Sequence, residues 1–269
     1  MQLVRVIEGG MDVDGDGTPG LDPARIYYSG QSLGGIYGML FLAVEPSVRV
    51  GATIVPGGSF TEFVRLSSSN RPILGVALAS RMPSLINVGG IAFNENLPLR
   101  NQPSVINTVP GAIAIQEFFE HRDWVQQSGD AVAYAPYLRK QPLDGVSPKS
   151  VIIQFAKGDM SVPNPTTTAL LRAGDLADRT SFYRHDLAFN DPLRNPNPPG
   201  TAVPKDPHNF FIFSSFFFPA VANVGLGAQQ QIAEFFASDG TTVIDPDGAG
   251  PLFEVPIAGP LPEELNFIP

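Results

Sequence analysis

Residues 28–37 read YSGQSLGGIY, and within them Gly30-Gln31-Ser32-Leu33-Gly34 fits the pattern Gly-x-Ser-x-Gly. The residues just before, with Ile26, Tyr27 and Tyr28 among them, are apolar and aromatic enough for a buried strand over 25–31. Those just after, 33–44, are apolar and small, as a packed helix requires. A serine set between glycines where a strand feeds a helix marks a turn too tight for neighbouring side chains, with its hydroxyl lifted clear of the backbone. Such a turn holds the serine in a strained conformation, so the flanking positions are expected to be glycine to avoid clashes with strand and helix.

Working outward, "VRVGATIV" at 48–55 reads as a second strand, closed by Pro56-Gly57-Gly58. "KSVIIQF" at 149–155 is a third and Thr180–His185 a shorter fourth. Between strands three and four, Asn164 suits an N-cap, Pro165 a first helical position and Gly174 a C-terminal stop. A last helix is expected over 228–240, followed by an extended tail, 241–269. Alternating strands and helices predict an α/β fold, a parallel sheet flanked by helices, in a single domain over 1–269. Residues 59–149 are proline-rich and irregular and read as a cap-like insertion with one convincing helix, 112–127, offering Ile113, Phe118, Phe119 and Trp124 for an apolar face.

Composition narrows the function. The chain has 269 residues, 43% hydrophobic and 16% charged, enough for a sizeable core. A formal net charge of -9 without any basic stripe argues against nucleic acid as a partner. There is no cysteine, so disulfides, thiolate metal sites and a cysteine nucleophile are excluded. No apolar run is long enough for a transmembrane segment; the Phe-rich stretch 210–218 is short and contains two serines. The opening "MQLVRVIEGG" lacks the apolar region of a signal peptide, so a secreted or cell-envelope location requires an export signal further upstream.

A serine nucleophile needs a general base, and the base needs an acid that fixes its tautomer and stabilises the imidazolium. Three histidines exist. His121 lies among Glu120, Arg122 and Asp123 on what reads as a solvated helix face; His185 ends a strand and is the reserve. His208, in "KDPHNFF", sits on a loop past the last strand with an apolar wall behind it, where a base is expected. Asp159, in "FAKGDMSVP", follows the third strand at the carboxyl edge of the sheet, where such folds gather functional groups. Asp186 and Asp206 compete with it, the latter reading better as a turn former.

The order Ser, Asp, His on a parallel sheet, with "GQSLGG" at the turn and "GDMSVP" after a later strand, resembles the α/β-hydrolase superfamily, and within it bacterial esterases and lipases. The resemblance runs from Asp22 to about Ser238. It implies Ser32 as nucleophile, Asp159 as acid, His208 as base, the N–H of Leu33 as an oxyanion donor, and 59–149 as a cap. No cofactor is then needed for catalysis, and the substrate is a small-molecule or lipid ester. Rival readings are a prolyl-oligopeptidase-like peptidase and a non-catalytic hydrolase-like binding module. In the superfamily several strands and a second oxyanion loop precede the nucleophile, whereas few residues precede Ser32 here. A missing N-terminal segment or a covering chain is therefore expected at the edge of the 25–31 strand.

Two further features stand apart. In "DVDGDGTPGLD", Asp12, Asp14 and Asp16 followed by Gly17 match the start of a calcium loop, with Asp22 as a substitute for the missing late ligand, so a structural calcium is expected there. Six phenylalanines lie between Asn209 and Pro219. Most are expected in the core, while Phe210 and Phe211, next to His208, are expected to line a hydrophobic acyl pocket.

Overall fold

The computed structural model describes the chain except residues 99–101, 197–199, 266 and 268–269. Helix α1 (Gln2–Glu8) leads through the acidic loop to β1 (Tyr27–Gln31), α2 (Leu33–Val44) and β2 (Val50–Ile54). Helices α3 (Phe60–Leu66), α4 (Arg71–Ala79), α5 (Ala112–Gln126) and α6 (Ala131–Tyr134) fill the connection to β3 (Ser150–Ala156). Then come α7 (Asn164–Gly174), β4 (Thr180–Tyr183), α8 (His185–Asn190), α9 (Ala222–Ala237) and β5 (Phe253–Glu254).

The five strands form one sheet in the order β1-β2-β3-β4-β5, parallel from β1 to β4, with β5 antiparallel to β4. The fold is α/β. Every residue of β2 is buried, and so is all of β3 past Ser150, which is why both read as continuous apolar runs. Side chains alternate between two helical layers. Tyr28 meets Gly38 and Phe41 of α2, and a Cβ on Gly51 would strike Leu42 of that helix. On the opposite face Tyr27 stacks on Phe236 of α9, and Gln154 donates to Ala228 O and Gln231 Oε1 of the same helix. No helix among the described residues is long and apolar enough to cross a membrane.

Several expectations need correction. The first strand begins at Tyr27 and is half-buried rather than buried, because only β2 pairs with it. The 59–149 stretch holds α3, α4 and α6 besides α5; short helices among prolines carry too few turns for a periodic signal. On α5 the buried residues are Ala112, Ile115 and Phe119, the last two packed with Leu74, Leu78 and Phe93 into a small core of their own, whereas Ile113 and Trp124 are exposed. Positions 113 and 124 do share a stripe of the helix, but α4 packs against another. From Ala131 onward this connection joins the main core through Ala131, Ala135 and Leu138. His185 opens α8 instead of ending a strand, α9 starts at Ala222 rather than 228, and β5 lies inside the expected tail. Asn164 is within α7 with Pro163 at the cap, and Asp175, not Gly174, takes the left-handed stop.

Candidate active site

The carboxyl ends of β1 to β4 share one rim, and the site is built there. At the end of β1 the chain turns through Ser32, whose φ of 55° and ψ of -119° lie outside the ordinary regions for an L-residue. Two backbone bonds hold it: Ser32 N–H donates to Ile54 O at 2.9 Å, and Ile36 N–H to Ser32 O at 2.9 Å. The neighbouring glycines are not equivalent. A Cβ on Gly30 would lie 2.5 Å from Gly34 O, and one on Gly35 would lie 2.9 Å from Ile54 O. One on Gly34 would find nothing nearer than Tyr28 Oη at 4.0 Å. Close packing therefore requires Gly30 and Gly35, and the motif glycine Gly34 is free of that demand.

Asp159 follows β3 in a loop fixed from both ends. Asn164 Oδ1 accepts from Gly158 N–H at 2.8 Å while its amide donates to Ala156 O at 2.7 Å. The Asp159 Oδ1 atom accepts from the amides of Ser161 and Val162 at 2.8 and 2.7 Å. The third element, a 3₁₀ turn over Pro207–Ile212, carries His208. Asp206 caps that turn: Oδ1 accepts from His208 N–H and from Met160 N–H, both at 3.1 Å, and Oδ2 accepts from Ser161 Oγ at 2.9 Å. Its role as a turn former is as expected, and it also ties the histidine loop to the acid loop. Gln31 Nε2 adds a bond to His208 O at 3.3 Å. Sequence reasoning did not identify Asn164 and Gln31 as supports of the site; only their spacing from Asp159 and Ser32 hints at it.

These supports bring three side chains from positions far apart in the chain into one line. His208 Nε2 lies 2.8 Å from Ser32 Oγ, and His208 Nδ1 lies 2.9 Å from Asp159 Oδ2 and 3.1 Å from Oδ1. Asp159 is 2% exposed and His208 9%. With Nδ1 carrying its proton toward the carboxylate, Nε2 is left as acceptor for the hydroxyl. Burial pulls the His208 pKa down, but the hydrogen bond and charge of Asp159, with the charge of Asp206 behind it, outweigh burial and raise it. Burial pushes the Asp159 carboxyl up, opposed by His208 and by the Val162 amide.

The first amide of α2 belongs to Leu33, whose N–H has no intrahelical acceptor by helix geometry and adjoins the hydroxyl. Next to Leu33 an apolar groove of about 430 Å³ opens, lined by Phe60, Phe63, Val64 and Ile73 of α3 and α4.

The remaining candidates lie elsewhere. His185 is completely buried, its Nδ1 3.4 Å from Tyr183 Oη, and burial brings its pKa down to about 4. His121 is exposed on α5, and Asp186 is paired with Arg184. Phe210 does not line a pocket: it is wholly buried against Tyr183 and Phe253, so it has no surface to give a ligand. Phe211 is half-buried against the main core, and Phe216 and Phe217 are exposed. Carboxylate oxygens of Asp12, Asp14 and Asp16 gather within 4.8 Å of one another. Asp22 does not join them; its Oδ1 accepts from Ala24 N–H in a local turn. Both Asp12 oxygens take amides of the loop, from Gly15 at 2.7 Å and Gly17 at 2.9 Å, so the protein closes the loop with its own backbone.

Comparison with models of known families, with curated proteins and with solved structures finds no match to this chain.

Proposed function

We propose that the protein is a serine hydrolase of the α/β-hydrolase type that cleaves carboxylic esters of hydrophobic acyl groups. One observation carries the reading: the continuous hydrogen-bonded line from Ser32 through His208 to Asp159. A buried line of hydroxyl, imidazole and carboxylate at the carboxyl rim of a parallel sheet has the parts of an acyl-transfer device.

In that mechanism Ser32 Oγ attacks the ester carbonyl carbon while His208 Nε2 takes the hydroxyl proton. Asp159 keeps Nδ1 protonated and stabilises the imidazolium. The carbonyl oxygen becomes an oxyanion, met by Leu33 N–H at the positive end of α2. His208 then returns the proton to the leaving alcohol oxygen, leaving an acyl group on Ser32. Water, deprotonated by His208, attacks the acyl carbon, releases the acid and restores the hydroxyl. The groove beside Leu33 favours a hydrophobic acyl chain, since its walls are almost entirely carbon.

The test is hydrolysis of short- and long-chain p-nitrophenyl esters, with fluorophosphonate labelling of the same preparations. The reading expects turnover that prefers longer chains, labelling at Ser32, and loss of rate on the order of a million-fold in Ser32→Ala. Turnover that survives the substitution, or folded protein that neither turns over nor labels, overturns it.

A further inference from the structure

Most arginines of this acidic protein are neutralised: Arg5, Arg65, Arg71, Arg139 and Arg184 each hold a carboxylate. Arg81 and Arg122 have no ion-pair partner among the described residues, and both line the same cavity of about 460 Å³ between α5 and the end of α4. His121 lines it too, and Glu117 stands on the same wall without bonding either guanidinium. Aromatic faces fix both cations: Arg81 lies 4.8 Å from the Phe118 ring centre and Arg122 lies 5.6 Å from that of Phe60. A guanidinium held by its flat face keeps its N–H edge free for an acceptor. Arg122 is also half-buried, so its charge is partly desolvated with no anion in return.

The cavity is not isolated. Arg122 also lines the apolar groove that has Leu33, the residue after Ser32, among its walls. Phe60, under Arg122, lines that groove as well. Arg122 thus stands on the wall of both the cationic pocket and the apolar groove, and the groove reaches Leu33, the residue that follows Ser32. We propose that Arg81 and Arg122 bind the anionic end of an amphiphilic substrate, a carboxylate or a phosphate ester, whose apolar chain runs past Phe60, Phe63 and Ile73 to place its ester at Ser32. This rests on the ester-hydrolase reading for the last step only; the anion pocket stands on its own residues.

The experiment measures binding to the intact Ser32→Ala protein, so that it does not depend on turnover. Calorimetry is run with decyl phosphate, decanoate and decanol, all as monomers in solution. Anionic ligands are expected to bind about tenfold or more tightly than decanol, and Arg81→Ala to remove about tenfold of that affinity while leaving decanol unchanged. Whichever anion shows the larger loss identifies the head group as phosphate or carboxylate. Arg81 is exposed, so its removal spares the fold; Arg122→Gln, which alters a packed side chain, is expected to act in the same direction. Equal affinity for the three ligands overturns the proposal, as does an Arg81→Ala effect that is absent or the same for decanol. Failure of ester hydrolysis with the anion preference intact would refute the catalytic reading and leave the pocket.

Discussion

The turn at Ser32 gives the sharpest test, because three glycines within six residues face different surroundings. In Gly30→Ala the new methyl would lie 2.5 Å from Gly34 O and 2.6 Å from Gly34 C. Both are backbone atoms in the first turn of α2 and cannot rotate away, so the helix start must shift. Overpacking of this kind costs about 1–3 kcal/mol, and contact with backbone places it at the upper end. In Gly35→Ala the methyl meets Ile54 O at 2.9 Å and Gly30 O at 3.2 Å, a milder clash. In Gly34→Ala the nearest atom is 4.0 Å away, and alanine's better helix propensity should stabilise by up to about 1 kcal/mol. At roughly 2–4 °C per kcal/mol for a chain of this size, Tm should fall by roughly 6–12 °C in Gly30→Ala and rise by up to roughly 2–4 °C in Gly34→Ala. Thermal unfolding followed by circular dichroism reads all three, and ester turnover at a temperature where each variant is folded reads the displacement of Ser32. Gly34→Ala should keep its turnover and Gly30→Ala should lose most of it. Destabilisation of Gly34→Ala equal to that of Gly30→Ala would refute the contact reasoning.

Other outcomes follow from the same geometry. Asp159→Asn keeps an acceptor for the Ser161 and Val162 amides but sets an N–H against His208 Nδ1, favouring the tautomer with Nε2 protonated; kcat should drop about 10⁴-fold with little change in Tm. On the hydrolase proposal His208 serves as a base only when neutral, and its pKa is raised, so kcat/KM should rise with pH through a midpoint above the ordinary histidine value of about 6.5. The stability that protonated His208 contributes is present below about 6.5 and lost as pH rises through that higher midpoint, so a pH–Tm series should show activity and this increment moving oppositely. His185 has the reverse sign: its pKa of about 4 keeps it neutral when folded while the unfolded chain takes up a proton below about 6.5. Roughly 3 kcal/mol should therefore be lost as pH falls toward 4, and a His185→Phe variant should lose less over that interval. The expected calcium at Asp12, Asp14 and Asp16 is tested by Tm: a rise in millimolar calcium that Asp14→Asn removes supports it, and a Tm indifferent to calcium and to chelator refutes it.

The α/β class was legible in the chain, and so was the choice of Ser32, Asp159 and His208, which the structure brings into one hydrogen-bonded line. Strands β2 and β3 are buried on both faces, so they read as unbroken apolar runs, and Gly-x-Ser-x-Gly signals its turn through glycines, of which steric contact requires Gly30. Asp159 and His208 could be chosen because parallel strands deliver their following loops to one rim, and few histidines compete. What depended on packing was not legible. Which stripe of α5 is buried depends on α4, a helix too short to announce itself, and Phe210 next to His208 is buried simply because Tyr183 and Phe253 lie over it. The pairing of Arg81 with Arg122, and the exclusion of Asp22 from the acidic cluster, are likewise set by where distant or locally bonded groups come to rest. Sequence settles what each segment prefers by itself, because chain geometry and sterics act locally. Only the folded molecule decides which neighbours a side chain meets, since burial and charge are properties of the surroundings that the other segments provide.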